Sequence, residues 1–134
     1  MTIKTIYKGD LRTQATHIDS GAVVMTDAPK DNQGNGEAFS PTDMLAASLG
    51  SCMLTIAGIA ARTHGFSIEG ATAEITKIMS AEPRRVGEIV VRFTFPANGY
   101  SAKEKKIIEA AAHSCPVAKS LHPDTVQTIT FNYL

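Results

Sequence analysis

Tryptophan is absent from this chain of 134 residues, tyrosine occurs only three times and cysteine only twice. Neither sign of charge is in excess, with 13 lysines plus arginines against 13 aspartates plus glutamates. Each scarcity excludes something. Without a basic run interleaved with aromatics there is no electrostatic footprint for nucleic acid or anionic lipid, so the expected ligand is a small molecule. The opening residues, MTIKTIYKGD, hold no apolar block of the kind that directs export, and a cytoplasmic protein is expected. Two cysteines far apart in sequence, Cys52 and Cys115, make neither a disulfide framework nor a zinc or thioredoxin-type motif. In a reducing compartment such a pair is either inert or redox-active. The four histidines, His17, His64, His113 and His122, lack metal-ligand spacing, and neither a metal nor a Ser-His-Asp arrangement is expected.

What is present in abundance is one apolar stretch. From Met44 to Ala61 there is no charged residue, and the length is at the edge of what crosses a bilayer. Its composition argues otherwise: most positions are Ala, Gly, Ser, Thr or Cys, and no interfacial Trp or Tyr flanks it. A helix apolar on all sides and outside a membrane is a buried one. The length suits one domain spanning 1–134, and so long a buried helix in so small a chain favours a partner surface.

Alternation in TIKTIYK, LRTQATHI and AVVMT, separated by Gly9-Asp10 and Asp19-Ser20-Gly21, predicts three strands over about 2–26. Residues 27–39, DAPKDNQGNGEAF, lose all periodicity and read as a mobile surface loop able to cover a site. A helix over about 41–63 follows, with Ser40 as cap, Pro41 in the first turn and Asp43 as the capping-box acid. At 100° per residue Cys52 shares a face with Leu45, Ser48, Leu49, Thr55, Ile56 and Ile59. Ala47, Ser51 and Gly58 form a small-residue stripe suited to close packing. Two strands are expected over about 67–95, the second with Ile89, Val91, Phe93 and Phe95 on one face. Helices follow over about 102–121, opened by a Ser101/Glu104 capping box and broken before Pro116, which leaves Cys115 as an N-cap. A last strand over about 126–133 carries Ile129, Phe131 and Tyr133 on one face. The order is that of an α+β fold.

A thiolate is favoured at a helix N-terminus or beside a cation and disfavoured in apolar surroundings. By chain position alone Cys115 is therefore the more activated thiol. Cys52 lies three turns into an apolar helix, beyond the reach of the helix dipole, and needs a specific cation to ionise; Arg12 and Arg62 are the candidates. Either cysteine can equally be a small core hydrophobe.

SPTDMLAASLGSC followed by CPVAKSL resembles the OsmC/Ohr family of osmotically inducible and organic hydroperoxide resistance proteins, and YKGDLRTQATHIDSG resembles that family's N-terminal strands. The resemblance covers essentially the whole chain. It implies an OsmC-like fold of antiparallel sheets around a long central helix, in an interwoven homodimer with two active sites near the interface. It implies further that Cys52 attacks an organic hydroperoxide and becomes a sulfenic acid, and that Cys115 resolves it as a Cys52–Cys115 disulfide. In such proteins an Arg pairs with the thiolate and a carboxylate orients the Arg. Arg12 matches the Arg. Peroxidase members commonly carry Glu directly after the helix-opening Pro, where this chain has Thr42 followed by Asp43, so the orienting acid is expected from Asp43 or from Glu37 in the loop. The resemblance implies no bound cofactor and an external dithiol or lipoylated protein as reductant. Leu45, Leu49, Met53 and Ile56 around Cys52 suit an organic substrate. Two further readings remain: a binding module for apolar small molecules, and a thiol switch that couples oxidation to a partner.

Overall fold

The computed structural model describes all residues from Met1 to Leu134. Two compact units divide the chain, Met1–Leu45 and Ala46–Leu134.

In the first unit, β1 (Ile3–Gly9), β2 (Arg12–His17) and β3 (Val23–Asp27) form an antiparallel meander in the order β1-β2-β3. The tight β1–β2 connection places Gly9, Asp10 and Leu11 at positive φ, a conformation that costs glycine nothing and is uncommon for leucine. The residues after β3 do not hang free. A single 3-10 turn, Lys30–Asn32, folds the loop over, and Gly34 and Gly36 donate backbone hydrogen bonds to Pro29 and Ala28. Phe39 bridges to Thr26, with Asp27 N–H donating to Phe39 O at 3.0 Å. The loop expected over 27–39 thus begins one residue later, and it is stitched to β3. Asp27 ends that strand and is 1% exposed, where the sequence had suggested the first residue of a mobile surface loop.

Helix α1 (Pro41–Thr63) starts in this unit. Its capping box is formed reciprocally: Ser40 N–H donates to Asp43 Oδ2 at 2.9 Å, and Asp43 N–H donates to Ser40 Oγ at 3.0 Å. Two otherwise orphaned donors are satisfied at the helix entry.

In the second unit, β4 (Thr72–Ser80), β5 (Arg85–Phe95) and β6 (Val126–Tyr133) form a sheet in the order β4-β5-β6. β4 pairs with β5 antiparallel, whereas β6 runs parallel to β5. Parallel neighbours need a crossover, and α2 (Ala102–His113) and α3 (Pro116–Ser120) supply it. The register is pinned by aromatics at paired positions. Phe93 stacks on Phe131 with centroids 5.4 Å apart, and Phe95 stacks on Tyr133 at 5.0 Å; a slip by one residue would separate both pairs. The first of the two strands expected over 67–95 starts only at Thr72, because Gly70 sits at φ +89° and Ala71 N–H turns back to Ile68 O.

The core lies in this unit. Leu49, Met53 and Ala57 of α1 join Ile89, Val91, Phe93 and Phe95 of β5, with Ile108 and Ala112 of α2. The helix is long and apolar enough to cross a bilayer, but its buried face, Ala46, Leu49, Gly50, Met53, Ala57 and Ala61, is occupied by that core. It is not buried on all sides in the single chain, since Leu45 and Ile59 remain exposed. Within the chain the close approach is at Gly50, where a Cβ would come within 2.5 Å of Ile75 Cδ1. Gly58 has only ordinary contact with Ile68.

Candidate active site

Cys52 lies on the flank of α1, partly exposed and packed against the core cluster. Cys115 is fully buried, between the end of α2 and the start of α3. Local sequence dictates this second placement. Ser114 closes α2, Pro116 cannot continue a helix but can open one, and the residue before a proline is driven to extended geometry. Cys115 adopts φ −63°, ψ 141°, and its Sγ accepts the Ala118 N–H at 3.2 Å. α3 is tied down by Gln127 of β6, whose side-chain amide donates to Ala118 O at 3.0 Å.

The two thiols, far apart in sequence, interact. Burial pushes the Cys115 thiol above its ordinary value, and the hydrogen bond from Ala118 opposes this without overcoming it. A side-chain hydrogen bond with Cys52, and the charge of Cys52, push it up further. The N-cap position therefore does not activate Cys115, because the backbone hydrogen bonds there are outweighed by removal from water. Cys115 is held as a protonated thiol beside Cys52.

Arg12 opens β2 directly opposite Asp27 of β3 in the antiparallel register. Its Nη2 pairs with Glu37 Oε2, and its Nε lies 3.7 Å from Asp27 Oδ1. Asp27 Oδ2 accepts the backbone N–H of Glu37 at 3.0 Å. Glu37, one of the two acids the sequence offered, thus meets Arg12. Asp43, the other, has the capping role described above. Asp27 was not among the expected residues. The signal for it was available only through pairing: a carboxylate at the end of β3 faces Arg12 once the hairpin register is known.

The four expected pocket residues separate by exposure. Leu49 and Met53 are fully buried in the core, Ile56 is partly buried against it, and Leu45 is exposed. A different open groove of about 750 Å³ runs past the end of α1, lined by Gly58, Ile59, Arg62, Phe66, Ile68 and Glu69 among others.

The chain is thus an α+β protein with one free cysteine on a core helix and, beside it, a second free cysteine that precedes a proline. Residues 34–130 match the family model of OsmC-like proteins, and the chain belongs to that family. Its fold is OsmC-like. No curated protein matches it in sequence. Among solved structures, a protein of Psychrobacter arcticus 273-4, provisionally described as an osmotic stress induced and detoxification response protein, is 54% identical, with a TM-score of 0.94 over 98% of this chain and 96% of that one. An organic hydroperoxide resistance protein OsmC of Legionella pneumophila, also described as a predicted redox protein, is 18% identical, with a TM-score of 0.72 over 98% and 97%. The organic hydroperoxide resistance protein OhrB of Bacillus subtilis is 14% identical, with a TM-score of 0.69 over 98% of each chain. These last two are likenesses of fold. The family includes hydroperoxide resistance proteins.

Proposed function

We propose that this protein is a cysteine-dependent peroxidase that reduces organic hydroperoxides to alcohols in the cytoplasm, as a homodimer. The observation that carries this reading is the pairing of an accessible thiol, Cys52, with a buried one, Cys115, that its surroundings keep protonated. That asymmetry assigns the two roles. The Cys52 thiolate attacks the terminal oxygen of the hydroperoxide, the O–O bond breaks, and the leaving alkoxide takes up a proton and departs as the alcohol. Cys52 is left as a sulfenic acid. Cys115 then gives up its proton as its sulfur attacks that of Cys52. The S–O bond breaks, water leaves, and a Cys52–Cys115 disulfide remains. An external dithiol or lipoylated protein, itself oxidised to a disulfide, returns both cysteines to thiols. Arg12 is the counter-charge for the attacking thiolate in this reading, with its guanidinium turned by neighbouring carboxylates. Apolar side chains near Cys52, Leu45 and Ile56 foremost, favour an organic substrate over hydrogen peroxide.

The test is a stoichiometric reaction of the reduced protein with cumene hydroperoxide, followed by intact mass and peptide mapping. The expected product is one Cys52–Cys115 disulfide per chain together with loss of one equivalent of peroxide. Persistence of the peroxide with both thiols still reduced would sink the peroxidase reading. Faster turnover of hydrogen peroxide than of cumene hydroperoxide would remove the apolar pocket from it.

A further inference from the structure

Arg12 is surrounded by acid in an uneven way. Glu37 is 62% exposed at its side chain, whereas Asp27 is 1% exposed. An ion pair open to water contributes about 0–1 kcal/mol and does little to hold a long side chain in one place. A buried carboxylate has no water to turn to. Asp27 Oδ2 takes the Glu37 N–H, but Oδ1 has no hydrogen-bond partner, and it faces Arg12 Nε. A buried acceptor left unmatched costs more than an exposed one, so the favourable approach for this oxygen is toward the guanidinium. The strand register makes the encounter unavoidable, since Arg12 and Asp27 are direct cross-strand partners.

Guanidinium geometry adds the second step. Its N–H donors point out in a fixed planar fork. With Nε 3.7 Å from Asp27 Oδ1 and Nη2 engaged by Glu37, the Nε/Nη2 edge of the fork lies against the two acids and the Nη1 end is the one left to present.

We propose that Asp27 is the positioning residue for Arg12 in the peroxidase reaction: it fixes the Nε edge of the guanidinium from β3 and, through the Glu37 backbone, holds the loop that supplies the second carboxylate. This rests on the peroxidase reading and on Arg12 as the thiolate's counter-charge. Its consequence runs against simple charge counting. Removing a negative charge beside Arg12 would, by electrostatics alone, make the region friendlier to a thiolate and move ionisation of Cys52 to lower pH. Loss of positioning moves it the other way.

The experiment is the pH profile of Cys52 alkylation by iodoacetamide, read by peptide mass, in the wild type and in R12A, R12K, D27N and E37Q, alongside kcat/KM for cumene hydroperoxide. R12A is expected to raise the pH midpoint of Cys52 alkylation by about one unit or more, the effect of losing a nearby opposite charge. D27N is expected to raise it at least half as far and to lower kcat/KM about tenfold or more, with E37Q changing both less than D27N does. R12K keeps the charge without the fork, leaves Asp27 untouched, and is expected to raise the midpoint in the same direction as R12A but by less, so the idea stays testable if D27N does not fold. A midpoint in D27N that is unchanged or lower overturns the proposal, as does a wild-type profile in R12K or a larger effect in E37Q than in D27N. If R12A itself leaves the profile unmoved, Arg12 is not the counter-charge and the proposal falls with it. If the wild type turns over no peroxide yet the profiles shift as expected, the peroxidase reading fails while Asp27 keeps its hold on Arg12.

Discussion

At Cys115 the Ala118 N–H favours a thiolate and burial favours a thiol, and the balance has a consequence for stability. A group whose folded value lies above its unfolded one binds a proton more tightly in the folded state. Its contribution is complete below the unfolded value, near 9.0 for this thiol, and is lost as the pH rises through the folded one. Tyr133 acts in the same direction at higher pH, since burial first and Glu109 second push its phenol from 10.0 up to about 12. The urea midpoint is therefore expected to fall with rising pH above about 9, with Cys115→Ser flattening the onset and Tyr133→Phe flattening the part between 10 and about 12. Parallel pH profiles for the wild type and both variants would contradict these assignments. Neither shift was legible in the sequence. The N-cap position of Cys115 was readable from Cys-Pro, but the burial that outweighs it comes from residues distant in the chain.

Helix α1 meets the sheet at a glycine, so the packing of this element is testable at one position. A methyl group at Gly50 would raise helix propensity by about 1 kcal/mol, yet it would overlap Ile75 Cδ1 in β4, and overpacking costs about 1–3 kcal/mol. The tip of Ile75, a partly buried side chain on an edge strand, can give way in part, but Ile75 Cγ1 at 3.1 Å and Ala73 Cβ at 3.6 Å crowd the same spot, so the overlap costs at least as much as the helix gains. Gly50→Ala is expected to lose up to about 2 kcal/mol by urea denaturation, and adding Ile75→Val, which deletes the offending Cδ1, should recover part of it. An additive double mutant would mean that the two side chains do not meet. The element boundaries followed from local chemistry: the Ser40/Asp43 box, the Ser101 cap accepting the Glu104 N–H at 3.1 Å, and Pro116. The side of α1 that is buried did not, because a helix apolar on most sides has no single stripe to read.

For the molecule as a whole, the unsatisfied surface is the main observation. In the sheet of the first unit Ile3, Ile6, Tyr7, Val23, Val24 and Met25 are all exposed, and on α1 so are Leu45 and Ile59. A three-stranded sheet with apolar side chains exposed on adjacent positions, and therefore on both faces, lacks the cover such an element needs. The proposed homodimer supplies it. Sedimentation at micromolar concentration should give the mass of two chains, and the thermal midpoint should rise with protein concentration, as mass action requires when folding and association are linked. A well-folded monomer with a concentration-independent midpoint would remove the dimer. Substituting Val24 by Lys is expected to weaken association without touching either cysteine.

The sequence by itself determined what depends on neighbours along the chain. Strands announced themselves by alternation, as in Ile89, Val91, Phe93 and Phe95, and helices by caps and prolines. Two cysteines in a characteristic setting, Pro-led helix and Cys-Pro, marked the family. Tertiary structure alone decided what depends on residues far apart in sequence. It set β6 parallel to β5, because a strand's own pattern does not record which way its neighbour runs. It chose Gly50 for the close approach, brought Cys52 to Cys115, and buried Asp27 against Arg12. Desolvation and strand pairing are properties of assembled surroundings, and no window of sequence contains them.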